Sequence, residues 1–282
     1  MFGVLSPGAG GAKGSPMRLF VQASLAYHFP APAEVLLLLE AARSADQAIH
    51  DERLVFSPSL DIARLDDSHT GERRLVFTGQ GDVEITYSAV ADVLARDVDL
   101  HGAEAAQVRD LPPDALRYLR ASRYCPSDRF EGFAQREFGG FTGGAKVAAI
   151  LGWIANFVEY RAGVSDASTT ALDTFVDRAG VCRDFAHLAI TFCRAAQIPA
   201  RAVSAYAWRL EPPDMHAVVE VYLGGRWRLV DPTGLAPVEG LVRVATGLDA
   251  VDVAFMTIFG QAWLQAQSFA VTELVPEMAA AG

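Results

Sequence analysis

Two strand-forming runs flank Leu223-Gly224-Gly225-Arg226, and this pattern constrains the fold more tightly than any other stretch of the 282 residues. His216-Ala217-Val218-Val219-Glu220-Val221-Tyr222 precedes it and Trp227-Arg228-Leu229-Val230-Asp231-Pro232 follows. A Gly-Gly pair accepts the positive φ of a two-residue hairpin turn, so the runs are predicted to be antiparallel strands. The turn then sets the register: Leu223 opposite Arg226, Tyr222 opposite Trp227, Val218 opposite Asp231 and His216 opposite Thr233. Side chains alternate along a strand, which puts His216, Val218, Glu220 and Tyr222 on one face with Trp227, Leu229 and Asp231. His216 and Asp231 become diagonal neighbours, with backbones about 7–8 Å apart and tips within reach. A carboxylate so placed accepts the imidazole N–H, fixes its tautomer and stabilises its charged form.

A helix is expected just upstream. Val181, Phe185, Leu188, Ala189, Phe192 and Ala196 recur at three- and four-residue steps, an apolar stripe for one buried face. Cys182 opens this run behind Gly180, which lets the chain turn tightly, and Gln197-Ile198-Pro199-Ala200-Arg201 ends it before a strand near Ala202–Trp208. Unpaired amides and the positive dipole end at a helix start favour a thiolate and can hold an oxyanion. The chain order Cys182, His216, Asp231 therefore predicts nucleophilic acyl transfer. Cys182 is the expected nucleophile, His216 the base and acid, and Asp231 the group that orients the ring.

Each residue also has an ordinary reading. A cysteine on an amphipathic helix is usually a small buried hydrophobe. That reading fits Cys193, about three turns further along the same stripe, and Cys125, expected to pack near the cleft. His187 lies five residues after Cys182, about 140° around the helix, and is expected in the core. Asp184 suits the first turn of a helix whatever the function. Trp227 suits either core packing or a shield over the imidazole–carboxylate pair. For a second oxyanion donor the residue types offer Trp153, Asn156, Tyr124 and Trp208 and do not choose among them.

Further back, Leu19–Phe29, Glu34–Glu40, Arg53–Phe56, Arg73–Thr78 and Val83–Ala89 read as strands, separated by turn signals at Ser57-Pro58, Thr70-Gly71 and Gly79-Gln80-Gly81-Asp82. Over Glu34–Ala42 a helix is the alternative by propensity. After a polar linker near Asp97–Asp110, helices are expected from Pro112 to Arg120, through Val147–Val158 to near Gly163, and after Ser168-Thr169-Thr170. In the last of these Leu172, Phe175 and Val176 should pack inward and Gly180 should be the stop. The expected class is α+β: a papain-like core of helices plus antiparallel sheet, preceded by a β-sandwich-like N-terminal domain. The boundaries expected are a disordered extension over 1–16, a β-rich domain over 17–105 and a catalytic domain over 106–282.

Composition narrows the partners. With 24 basic and 34 acidic residues the chain carries −10, which disfavours nucleic acid. Its longest apolar runs, such as Val35–Leu39, are too short to cross a bilayer, so no membrane partner is expected. Residues 1–16 have neither a basic start nor an apolar h-region, so they do not read as a signal peptide, and Met17 is an alternative start. Three cysteines make no disulfide framework, which points to a reducing cytoplasm. Cys182, His187, Cys193 and His216 lack metal-ligand spacing and no acidic cluster suits a calcium loop, so neither metal nor cofactor is expected.

These stretches resemble the transglutaminase-like superfamily, a branch of the papain-like thiol enzymes. The resemblance rests on Gly180-Val181-Cys182-Arg183-Asp184-Phe185-Ala186-His187, Gln197-Ile198-Pro199-Ala200-Arg201, His216-Ala217 and Trp227-Arg228-Leu229-Val230-Asp231-Pro232-Thr233. Ser122-Arg123-Tyr124-Cys125-Pro126-Ser127-Asp128 and Leu248-Asp249-Ala250-Val251-Asp252 are similar to the bacterial branch, in which a β-rich region precedes the core. The resemblance implies Cys182 as nucleophile, His216 as base and acid, and Asp231 as orienter. Val218 departs from the Trp that often follows His-Ala in the family, which bears on the shape of the acyl site. The expected activity is amide chemistry through a Cys182 thioester on a peptide or protein substrate, with hydrolysis favoured slightly over cross-linking. A non-catalytic peptide- or protein-binding scaffold is the alternative.

Overall fold

A computed structural model of the chain describes residues 16–275. The extension expected over residues 1–16 lies outside the described residues except for Pro16. The N-terminal third is one antiparallel sheet built on two 21-residue strands, β1 (Met17–Leu37) and β4 (Arg73–Val93). β2 (Gln47–Ser57) and β3 (Ala63–Asp66) pair with β4. Leu19, Val21, Ala23 and Leu25 point to one buried face, as alternation demands.

Two expected boundaries are absent here. Glu34 extends β1 after an irregularity between Phe29 and Ala33, and Gly79-Gln80-Gly81-Asp82 runs straight through β4. The glycine is needed for closeness, since a Cβ on Gly79 would sit 2.8 Å from the Phe29 ring. A glycine-rich tetrapeptide that bends around a cross-strand aromatic reads, in sequence alone, as a turn.

The second half carries α1 (Pro113–Leu116), α2 (Glu131–Phe138), α3 (Gly143–Phe157), the two-residue β5 (Glu159–Tyr160), α4 (Ala171–Asp177) and the equally short β6 (Ala179–Gly180). Then come α5 (Cys182–Ala195), β7 (Ala200–Ala207), β8 (Met215–Leu223), β9 (Arg226–Val230) and β10 (Leu241–Gly247), which make a four-stranded sheet in the order β10-β7-β8-β9. α3 stops at Phe157, short of Gly163. α4 begins at Thr170, whose amide donates to Asp173 at 2.8 Å, and ends at Arg178 in the left-handed region (φ 56°), not at Gly180. Val176 is exposed on α4, where Ala171 and Thr174 are the buried pair.

The chain then returns to its own beginning. After α6 (Ala250–Val253), β11 (Met256–Phe259) and β12 (Trp263–Glu273) both pair with β1, completing six strands. The β-rich layer therefore includes residues placed by sequence in a domain running to 282. No local period announces such a closure, because the partner strand lies more than 200 residues away. The two sheets meet through Tyr87 and Tyr206, stacked at 6.1 Å, and share one apolar core with α3 and α5. Arg243 fastens them by pairing with both Asp46 (2.7 Å) and Glu220 (2.5 Å). The linker is pinned too: Asp97 pairs with Arg228 (2.8 Å), and the Glu104 carbonyl accepts from the Gly224 amide (2.8 Å).

Candidate active site

The hairpin forms in the register its turn dictates. Tyr222 lies opposite Trp227 and Leu223 opposite Arg226, while Gly224 and Gly225 take φ of 59° and 76°. The side chains of His216 and Asp231 meet, Nε2 to Oδ2, at 2.9 Å, and Thr233 Oγ1 stands 3.4 Å from the same nitrogen. Both are almost fully buried, at 0% and 2% exposure. Asp231 is held by three further donors: the Ala236 amide (3.1 Å) on Oδ2, and the Thr233 amide (2.9 Å) and hydroxyl (2.7 Å) on Oδ1. A carboxylate with that many donors stays ionised without the solvent it has lost.

Cys182 is the first residue of α5, and its amide has no acceptor one turn back in that helix. Asp184 builds the start, accepting the Val181 amide at 2.8 Å, and Gly180 makes room for it, since a Cβ there would stand 2.6 Å from the Asp184 Cβ. Gly180 is thus required for closeness to Asp184, and Asp184 serves the helix start.

Cys182 and His216 line one cavity of about 440 Å³, together with Asp214, Met215, Ala186 and Phe255. His216 Nδ1 is buried with no partner among the described residues, leaving this nitrogen for the sulfur. Burial by itself lowers the proton affinity of the ring; the hydrogen bond to Asp231 and the adjacent Cys182 side chain outweigh it and hold the imidazole up at about 9. On Asp231 burial works upward, yet the His216 and Thr233 hydrogen bonds keep the carboxyl below its usual range. The ring thus lies between the Asp231 carboxylate and the cavity that Cys182 lines.

A fourth group at this site went unread in the sequence. β5 pairs in parallel with β6, setting Tyr160 beside Gly180, and the Tyr160 phenol comes to Cys182. Partial burial and then the charge of Cys182 raise its pKa, so it remains a protonated donor. The four candidates offered by residue type are engaged elsewhere. Tyr124 donates to the Ala167 carbonyl (2.6 Å) and Asn156 to that of Gly152 (2.8 Å). Trp153 sits among Phe133, Phe175 and Phe192, and Trp208 lies under Arg209. A tyrosine in a two-residue strand leaves no periodic signal.

The other residues weighed in the sequence fall into place. Cys125 and Cys193 are buried, which pushes both thiols up to about 12. His187 is buried, its ring stacked on Tyr124 at 4.9 Å, and burial takes it down to about 3. The Tyr124 amide donates to Asp249 (3.0 Å), so the two short segments similar to the bacterial branch meet in space. Trp227 packs edge-on to Tyr118 and Tyr222, at the turn end of the hairpin and away from His216. Val218 packs in a small cluster with Val203 and Leu229 and does not line the cavity. Among the described residues no single helix is long and apolar enough to cross a membrane.

Comparison with known proteins agrees with this architecture. Residues 134–232 match the transglutaminase-like superfamily and residues 17–114 the bacterial transglutaminase N-terminal domain. A crystal structure of a candidate cysteine protease from Cytophaga hutchinsonii is 37% identical, covers 94% of this chain and 93% of its own, and superposes with a TM-score of 0.88. The periplasmic domain of TgpA from Pseudomonas aeruginosa is more distant, at 18% identity and a TM-score of 0.40 over 80% of this chain and 92% of that one. An uncharacterized protein of Mycobacterium leprae is 32% identical over 117 residues, which is 38% of this chain and only 42% of that relative's length. The chain belongs to the transglutaminase-like superfamily, with a bacterial transglutaminase N-terminal domain ahead of the transglutaminase-like core.

Proposed function

We propose that the protein is a thiol hydrolase of amide bonds, with Cys182, His216 and Asp231 as its catalytic residues. The observation that carries this reading is the buried His216–Asp231 pair at 2.9 Å, opening on the same cavity as a cysteine at a helix start. The Cys182 thiolate attacks the amide carbonyl carbon. The oxygen that becomes negative is held by the Cys182 amide and the Tyr160 hydroxyl, which turn from each other to it. The tetrahedral intermediate then expels the amine as His216 Nδ1 hands it a proton, leaving a thioester on Cys182. Water attacks the thioester, neutral His216 takes its proton, and the thiolate leaves with the carboxylic acid released. Asp231 keeps the ring oriented throughout and offsets its charge. Water is the favoured acceptor because the sequence marks no amine site.

The test is amide cleavage scored by mass spectrometry against a peptide library, with and without an added primary amine. Cleavage by the wild type, its loss in Cys182→Ala and a single acid product are expected. Undiminished cleavage by Cys182→Ala would refute the assignment, and an amine adduct as the main product would move the activity to cross-linking.

A further inference from the structure

A second cavity, of about 570 Å³, opens between the N-terminal sheet and β7–β10 and shares no lining residue with the one beside Cys182. Both layers supply its walls: Asp46 and Arg96 follow β1 and β4, while Arg201, Glu220 and Arg243 come from β7, β8 and β10. Three guanidiniums here share two carboxylates. Asp46 accepts from Arg243 (2.7 Å) and Arg96 (3.2 Å), and Glu220 from Arg243 (2.5 Å) and Arg201 (2.6 Å). The Arg96 and Arg243 side chains are only 8% and 10% exposed, and neither Arg96 Nη2 nor Arg243 Nε has an acceptor among the described residues. At the mouth Arg226 and Arg228 repeat the imbalance on Asp97. Counting Asp114, the wall carries five arginines against four carboxylates, on a chain whose net charge is −10.

Holding the two sheets together accounts for the ion pairs and not for the extra cation. A charge withdrawn from water without a partner is costly, and buried N–H groups are almost always paired. Burial, with Arg243 adding to it against the pull of Asp46, lowers the pKa of Arg96, yet a guanidinium stays charged in a protein. From this imbalance we infer that the cavity is a binding site for a compact multivalent oxyanion, carried by a small phosphorylated molecule or a polycarboxylate. Its volume falls among those of small-molecule sites, about 300–1,000 Å³. Guanidinium suits this ligand, because its planar fork meets two oxygens at once. The oxygens of the anion take the N–H groups that Arg96 and Arg243 leave over, and Arg226, 55% exposed at the mouth, faces the outer charge. Bound there, the anion ties the end of β4 to β10 and so stabilises the junction of the two sheets.

The site is tested by binding to the full chain, whatever Cys182 cleaves. Pyrophosphate and citrate are titrated by calorimetry and by thermal melting, with sodium chloride as the control at matched ionic strength. At least one is expected to bind with a Kd below about 1 mM and, at about 10 mM, to raise the melting temperature by about 3 °C or more. Pyrophosphate binding alone identifies the phosphorylated class, and citrate binding alone the polycarboxylates. Arg226→Glu, on the exposed rim, should weaken binding about tenfold or more and leave the fold intact. Arg96→Gln should abolish binding; where that buried change prevents folding, Arg226→Glu alone reads the site. Failure of the folded wild type to bind either anion overturns the inference. So does a melting shift as large in Arg226→Glu as in the wild type, which is the mark of a general salt effect.

Discussion

Asp231→Asn tests the electrical core of the site directly. The side chain keeps its shape, but it has one acceptor oxygen where Asp231 has two. It therefore keeps the Thr233 or the Ala236 amide and not both, and it loses the charge that faces His216. In the intact protein the ring rises from an ordinary value of 6.5 to about 9 despite burial. At roughly 1.4 kcal/mol per tenfold change in proton affinity, that rise is worth about 3 kcal/mol, shared between Asp231 and Cys182. The sign follows from the direction. A folded-state value above the unfolded one gives stability that is fully present below 6.5 and lost as pH rises through about 9. NMR of the ¹⁵N-labelled imidazole should therefore show His216 titrating near 9 in the wild type and at least one pH unit lower in Asp231→Asn. The fall in thermal stability between those pH values should flatten in the variant. Cleavage should drop by roughly two to four orders of magnitude, the usual range for a proton-transfer group that is wrongly charged or oriented. A variant that titrates with the wild type and cleaves within threefold of it would refute the charge assigned to Asp231.

Two further outcomes follow from the same geometry. Tyr160→Phe should lower kcat by about 100-fold with little change in KM, the usual loss for one oxyanion donor, measured on any peptide the wild type cleaves. Iodoacetamide at pH 8 should place one adduct on the native protein, at Cys182, because burial keeps the Cys125 and Cys193 thiols protonated; peptide mapping reads this, and three adducts before unfolding would contradict it.

The sequence by itself determined what is local. A Gly-Gly turn admits one hairpin register, and period two then placed His216 and Asp231 on one face, where their side chains meet at 2.9 Å. The stripe from Val181 to Ala196 located α5 and put Cys182 at its first position, because one apolar face has to be buried. Along the N-terminal strands the same reasoning found the strands but cut β1 and β4 in two, since a glycine serving contact and one serving a turn look alike.

Tertiary structure alone decided the rest. The return of β11 and β12 to β1, the meeting of Tyr124 with Asp249, and the arrival of Tyr160 at Cys182 all join residues from separate elements. Local periodicity reports which face of an element is buried and never what it is buried against. The proton affinity of His216 belongs to this second class, because it depends on how much water the folded core removes and which charges remain in its place.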